Sequence, residues 1–170
     1  MKILVLAPHP FYQPRGTPIA VDLLVRALSG RGDEVHVLTF HEESDRFYEG
    51  SQIYRVQPFV RIKGVRPGLS LKKLYCDLHL FFRFVLLVKK GRYDLVHAVE
   101  ESAFMALLVC RILSMPFVYD MDSSMTTQIV NKLRFLRPGM KLLQWVESLP
   151  MRYANAVVPM CEALAQEAVR

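Results

Sequence analysis

Four short stretches of this 170-residue chain combine residue types and spacings that can do chemistry. The first covers residues 8–17, Pro-His-Pro-Phe-Tyr-Gln-Pro-Arg-Gly-Thr. It is long for a link between a strand and a helix, and links of that length often carry function. It ends in Gly16 and Thr17 ahead of a segment with helical period. There the N–H groups of a helix start favour a phosphate or carboxylate, and Arg15 adds a fixed positive charge. The plainer alternative is that Gly16 permits a turn and Thr17 caps a helix. The second stretch is Glu100-Glu101-Ser102. Its two acids can orient sugar hydroxyls or accept a proton, or simply place negative charge at the start of the next helix. The third is Tyr119-Asp-Met-Asp-Ser-Ser124. Asp120 and Asp122, two residues apart on a strand, share a side. Two carboxylates without a third protein ligand make a poor metal site, so no metal is expected, and Asp122 and Ser123 are read as polar residues facing a ligand. The other option is a cap and turn, which Asp and Ser form readily.

The fourth stretch is a basic, aromatic-rich segment, residues 70–90. Leu71, Leu74, Leu78, Phe81, Phe82, Val85 and Val88 fall near one face of a helix, while Leu80, Phe84, Leu86 and Leu87 widen the apolar surface beyond a single stripe. Lys72, Lys73, Lys89 and Lys90 stand at its two ends, an arrangement suited to contact with an anionic membrane surface. A core helix with solvated lysine ends is the competing reading.

The elements that must position these residues follow from periodicity. Apolar runs at 2–7, 34–40, 53–58, 94–99, 116–122 and 156–160 read as strands, the third more polar and nearer an edge. Between them lie helical segments from 18, over 70–90, over 102–113, through Leu142, Trp145, Val146 and Leu149, and from 162 to the chain end. Thr17 is the expected N-cap of the first, Pro18 suits its first position, and Gly30 with Gly32 stops it. A loop holding Gly64, Pro67 and Gly68 precedes the second. Apolar strands alternating with helices imply an α/β fold with a doubly wound, mainly parallel, Rossmann-like sheet. In such sheets ligands bind beyond the carboxyl ends of the strands, where the first three stretches fall. His97, inside an apolar run, reads as a core histidine.

Composition narrows the function classes. Hydrophobic residues make up 52% and charged residues 22%, a globular balance. Cys76, Cys110 and Cys161 are scattered and odd in number, which suits buried, reduced thiols in a cytoplasmic protein and gives no metal signature. The apolar start is too short for a secretory signal, and 78–88, broken by His79 and Arg83, falls short of the roughly 20 residues that span a bilayer. Net charge is +6. Nine basic residues (Arg61, Lys63, Arg66, Lys72, Lys73, Arg83, Lys89, Lys90 and Arg92) face one acid, Asp77, within residues 61–92, which favours phosphate-rich partners. No nucleic-acid motif or stacking platform accompanies them, so nucleic acid is not expected as a partner. GxGxxG, GxxxxGK[ST] and an acid pair after the first strand are all missing, which argues against a dinucleotide fold, a P-loop and a receiver domain.

Taken together, the stretches resemble the N-terminal domain of GT-B glycosyltransferases of the retaining family 4 (glycosyl transferase group 1) type. The carrying residues are Lys2-Ile-Leu-Val-Leu-Ala-Pro8, Arg15-Gly-Thr-Pro18, Leu23-Leu-Val-Arg-Ala-Leu28 and Gly32-Asp-Glu-Val-His-Val-Leu-Thr39. Tyr93-Asp-Leu-Val-His97, Pro116-Phe-Val-Tyr-Asp-Met-Asp122 and Tyr153-Ala-Asn-Ala-Val-Val-Pro-Met-Cys-Glu162 complete the set. Their order and spacing carry the likeness; no single motif does. The resemblance implies a two-domain enzyme that moves a sugar from a nucleotide-sugar donor to an acceptor, without cofactor or required metal. Residues 1–170 would be its acceptor-side half, with the C-terminal donor-binding domain outside this chain. It also implies that Gly16 and Thr17 lie near donor phosphates and acceptor and that Glu100 is the acid after the fourth strand. Asp122 would stand where many members have a histidine that contacts the sugar or acceptor. Val99 and Cys161 replace a common second histidine and a common serine. The resulting expectation is a half-enzyme, inactive alone, acting on a lipid-linked or cell-envelope acceptor at the inner face of a membrane. The alternative is a stand-alone, non-catalytic module for phosphorylated ligands or anionic membrane.

Overall fold

The computed structural model describes residues 1–42, 48–60, 62–65, 68 and 70–169. Arg61, Arg66 and Pro67, named above, lie outside the described residues. Six strands, β1 (Lys2–Ala7), β2 (Glu34–Thr39), β3 (Ser51–Arg55), β4 (Leu95–Val99), β5 (Phe117–Met121) and β6 (Ala156–Pro159), run in the order β3-β2-β1-β4-β5-β6. The expected Rossmann-like α/β fold with a parallel sheet is what forms. The helices are α1 (Gly16–Gly30), α2 (Leu71–Gly91), α3 (Ser102–Ile112), α4 (Met125–Lys132), α5 (Met140–Tyr153) and α6 (Glu162–Ala168), with a 3₁₀ turn at Arg134–Gly139. The chain divides into two compact units, Met1–His97 and Ala98–Arg170.

In the first unit, β1 is buried at every position from Ile3 to Ala7. Successive side chains point to opposite faces of a strand, so unbroken burial means that both faces are covered. β1 pairs in parallel with β2 from Lys2↔Glu34 to Ala7↔Thr39, and β2 pairs with the half-buried β3 from Val35↔Ser51 to Thr39↔Arg55. α1 begins two residues earlier than expected. Arg15 is its N-cap residue, with no side-chain capping bond, and Thr17 lies inside the first turn instead of capping it. At the other end Gly32 turns the chain at φ +89°, a conformation that suits glycine.

α2 starts where expected, with Ser70 Oγ accepting from Lys73 N at 3.1 Å, but it buries a different face. Lys73, Cys76, Leu80, Phe84 and Val88 point inward, while Leu71, Leu74, Leu78 and Phe82 are exposed. The helix is apolar on two sides, and a lysine in the inward stripe disguises the true core face. Lys73 can be there because its ammonium donates to Pro8 O at 2.9 Å and lies 3.6 Å from Asp77 Oδ1.

In the second unit, β5 pairs with β6 from Val118↔Ala156 to Met121↔Pro159. Asn155 fixes the approach to that register: its N–H donates to Phe117 O and its Oδ1 accepts from Phe117 N, at 2.8 and 3.1 Å. α3 buries Ala103, Ala106, Val109 and Cys110. α4 and the 3₁₀ turn were not anticipated. Burial pushes the Cys76 thiol up to about 11 and Cys110 up to about 12, which leaves both inert at neutral pH. Cys161 departs from the expectation of three buried thiols, because it stands exposed at the start of α6. Among the described residues, no helix is long and apolar enough to cross a membrane.

Candidate functional site

The connection after β1 is pinned to its unit by three bonds to two backbone carbonyls. Thr39 Oγ1, at the end of β2, donates to His9 O at 2.6 Å, and Phe40 N donates to the same oxygen at 3.4 Å. Lys73 of α2 holds Pro8 O and lies 5.5 Å above the Phe40 ring. His9 is thereby held with its ring buried. Its Nδ1 is 3.3 Å from Pro10 O, and because a carbonyl can only accept, the proton sits on Nδ1. Nε2 is then a lone-pair acceptor, buried and without a hydrogen-bond partner among the described residues. Burial first, then the nearby charges of Lys73 and Arg15, push the His9 pKa down to about 4 against the opposing pull of Pro10 O. The ring is neutral at physiological pH.

From this pinned segment the chain runs through Arg15 into α1. A Cβ built on Gly16 would meet nothing within 4 Å. Neither crowding by the protein nor a positive φ requires glycine there. What remains is open ground above the first turn of a helix, where N–H groups present the positive end of the dipole, with Arg15 beside it. Gly16 and Thr17 thus stand at a helix start, as read from the sequence.

The second unit assembles acids. Glu100, directly after β4, adopts φ 51°, a left-handed conformation rarely taken by a residue with a long side chain. Its N–H donates to Asp120 O at 3.0 Å and its carbonyl accepts from Ala103 N at 3.1 Å, so backbone bonds on both sides hold the strained residue. Ser102 Oγ donates to Val99 O at 2.7 Å. Strain of this kind costs of order 1–3 kcal/mol and concentrates at functional positions. Neither Glu100 nor Glu101 enters the first turn of α3, where the plainer reading had put one of them; Glu101 is the N-cap residue.

After β5, the residue that caps α4 is Ser124, whose Oγ accepts from Thr127 N at 3.3 Å. The cap of the cap-and-turn alternative is thus present in this stretch, at Ser124 and not at Asp122 or Ser123. Ser123 Oγ instead accepts from Gln128 Nε2 at 2.6 Å on the exposed side of α4. Asp122 is half-buried. The start of α4 is occupied by Glu147 of α5. This buried carboxylate accepts from Met125 N and from Thr126 N (3.1 Å), and its Oε2 also lies 3.2 Å from Ser124 Oγ. Glu167 Oε1 is 3.2 Å from the same hydroxyl, whose single proton serves one carboxylate at a time. Tyr119 registers the local charge: its phenol is pushed up first by burial, then by Glu147, Glu100, Asp120 and Asp122.

Of the residues singled out in the sequence, Arg15, Gly16 and Thr17 thus belong to the first unit, and Glu100, Asp122 and Ser123 to the second. His97 is buried, as a core histidine should be. Lys72, Lys89 and Lys90 are exposed. Lys73 is not available to a membrane, being turned inward to Pro8 O. Sequence reasoning passed over His9 and Glu147. His9 had one visible signal, a histidine immediately after the first strand. Glu147 had none, since its partners lie about twenty residues upstream. Among the described residues, no three His, Cys, Asp or Glu side chains gather as metal ligands.

The sequence model of Glycosyltransferase Family 4 matches residues 14–170. The chain belongs to this family. Solved structures agree on the fold. A sucrose-phosphate synthase chain from Thermosynechococcus elongatus matches at 15% identity and TM-score 0.70, covering 100% of this chain and 82% of that one. A second structure of that synthase gives 18% identity and TM-score 0.61, covering 92% of this chain and 41% of that one. UGT89C1 of Arabidopsis thaliana complexed with UDP gives 15% identity and TM-score 0.56, covering 99% and 48%. This chain thus spans less than half the length of those last two. No curated protein is matched by the sequence. As a Glycosyltransferase Family 4 chain of this architecture, it is an N-terminal GT-B glycosyltransferase domain.

Proposed function

We propose that this domain is the acceptor-side half of a retaining hexosyltransferase. It would serve the transfer of a sugar from a nucleotide-sugar donor to a lipid-linked or cell-envelope acceptor, with the nucleotide held by a second domain. The observation that carries the reading is the open ground over Gly16, with Arg15 adjacent, at the first turn of α1. In the transfer, the bond from the anomeric carbon to the diphosphate oxygen breaks and the acceptor oxygen bonds to that carbon on the same face. The acceptor's proton leaves with the diphosphate, on which negative charge builds as the bond breaks. A helix start and a guanidinium stabilise such charge without reorganising. Glu100, Asp122 and Ser123 are suited to a different task, accepting hydrogen bonds from hydroxyls of the sugar or acceptor. UGT89C1, a protein of the same fold, has been solved with UDP and with UDP-L-rhamnose, which supports a nucleotide-sugar donor.

On this reading the domain alone would not turn over, because the nucleotide would be held by the second domain. The test is a transfer assay on a protein joining this domain to a donor-binding domain, with the product anomer read by NMR. The expected result is a product that keeps the donor's anomeric configuration. Gly16→Ala should lower kcat/KM at least tenfold while the fold persists. Transfer by residues 1–170 alone, or an unaffected Gly16→Ala, would overturn the reading. Phosphoanion binding by the isolated domain without transfer in either form would favour a non-catalytic binding module.

A further inference from the structure

The first unit carries an apolar surface that its own core does not use. While the stripe through Leu80 and Phe84 points inward, α2 presents a second stripe on its opposite side. Leu71, Leu74, Leu78, Phe82 and Leu86 recur every three or four residues and are 86, 65, 52, 60 and 49% exposed. Phe59 extends the patch at 97% exposure, and it is not a loose side chain. Its ring meets His79 of α2 edge-on at 5.6 Å, and the next residue, Val60, donates its N–H to Tyr75 Oη at 3.0 Å. Aromatic and leucine side chains at such spacing form a contiguous apolar face, and faces of that kind on a soluble surface mark interaction sites.

Among the described residues, the exposed charges carried by α2 are all basic. Lys63, Lys72, Arg83, Lys89, Lys90 and Arg92 are exposed. The helix's only acid, Asp77, lies 3.6 Å from the buried Lys73 and is compensated there. An apolar centre flanked by exposed cations complements a surface that is greasy below and anionic above. We propose that the first unit docks through this face onto an anionic lipid bilayer, with α2 lying in the plane of the interface. The stripe would enter the boundary between headgroups and acyl chains while the lysines reach to lipid phosphates. At 21 residues, α2 is long enough to lie about 30 Å along the surface. Two other occupants suit the face less well. A second copy would bring the same cations together, and like charges repel. A nucleic acid would satisfy the lysines and leave five large apolar side chains wet. The inference rests on this surface and not on the sugar-transfer reading, to which it adds only the place where a lipid-linked acceptor would be met.

The experiment is co-sedimentation of the full chain with vesicles of phosphatidylcholine alone and of phosphatidylcholine mixed with phosphatidylglycerol. Turnover is not involved, so the outcome is independent of the transfer assay. The expected result is selective binding to the anionic vesicles that weakens as salt is raised. The double variant Leu78→Ser/Phe82→Ser should lower partitioning at least tenfold, and Lys89→Gln and Lys90→Gln about fivefold each. Both sites are exposed, so thermal unfolding should match the parent and separate lost docking from lost folding. Equal binding to both vesicle types would overturn the proposal. So would full binding by the serine variant, which would reduce the contact to charge alone. A dimer in sedimentation velocity that the serine variant dissolves, with no vesicle binding, would assign the face to a second copy.

Discussion

The ends of β1 and β5 present opposite chemistries. At β1 the charges that act on His9 are those of Arg15 and Lys73, and its ring is held neutral by burial and by those cations. At β5 the neighbours of Tyr119 are four carboxylates. The two regions also spend their buried charge differently. Lys73 is committed to a backbone carbonyl after β1, while Gly16 at the helix start is exposed and Arg15 half-buried. Glu147 is committed to the N–H groups of α4, so that helix start is already filled by a carboxylate of the chain itself. Two helices that follow strands in one sheet therefore differ in what they can offer. The start of α1 can receive an external anion, and the start of α4 cannot. Under the proposed function, an anionic ligand group would meet the first region and hydroxyls the second.

The largest effect should come from removing the internal carboxylate. Glu147→Ala leaves the N–H groups of Met125 and Thr126 without their acceptor, while Ser124 Oγ can still turn to Glu167, and it should cost about 3 kcal/mol in urea unfolding. Glu147→Gln should recover part of that loss, since one amide oxygen remains. If Glu147→Ala unfolds like the parent, α4 is not held by this contact and the distinction between the two helix starts fails.

A comparable effect is expected from pH at the other region. The folded His9 pKa of about 4 lies below its ordinary 6.5. The unfolded chain therefore takes up a proton that the folded one refuses. Stability from this source is complete above 6.5 and is lost as pH falls from 6.5 toward 4, by about 3 kcal/mol in full. The measurement is the urea midpoint at neutral and mildly acidic pH. His9→Gln should flatten that stretch of the profile. An equal acid response in parent and variant would mean that His9 titrates normally and is not enclosed as described.

Glu100→Gly should have the smallest effect on stability and an opposite effect on function. Glycine accepts φ 51° without the steric cost borne by glutamate, so stability should stay level or rise by up to about 1 kcal/mol. Sugar transfer by the joined two-domain protein should fall at least tenfold if the side chain binds hydroxyls. A variant that is destabilised by more than 1 kcal/mol would show that the strained glutamate is structural.

Much of this was legible in the sequence, for physical reasons that differ by element. β1, β2 and β4 announce themselves because strands covered on both faces must be apolar throughout. Arg15, Gly16 and Glu100 were selected by position alone, since α/β sheets place ligands at strand ends, and the structure sets Gly16 at a helix start and Glu100 directly after β4. The inward face of α2 was not legible. Both sides of that helix are apolar, and only the fold shows that Lys73 has a carbonyl to reach. Which serine caps α4 was not legible either, because Ser123 and Ser124 are equivalent by type. The backbone decides which one caps. Helix α4 is only eight residues long, with Met125, Ile129 and Val130 its only apolar side chains, and Glu147 acts on residues far away in sequence.

The most direct test of the contrast between the two helix starts is a ¹⁵N NMR titration of the chain with inorganic pyrophosphate, with amides followed one by one. The predicted result is saturable shifts concentrated at Arg15, Gly16, Thr17 and Ile19, reduced in Gly16→Ala and absent from Met125 and Thr126. Shifts at the α4 amides, or an unchanged response in Gly16→Ala, would contradict it.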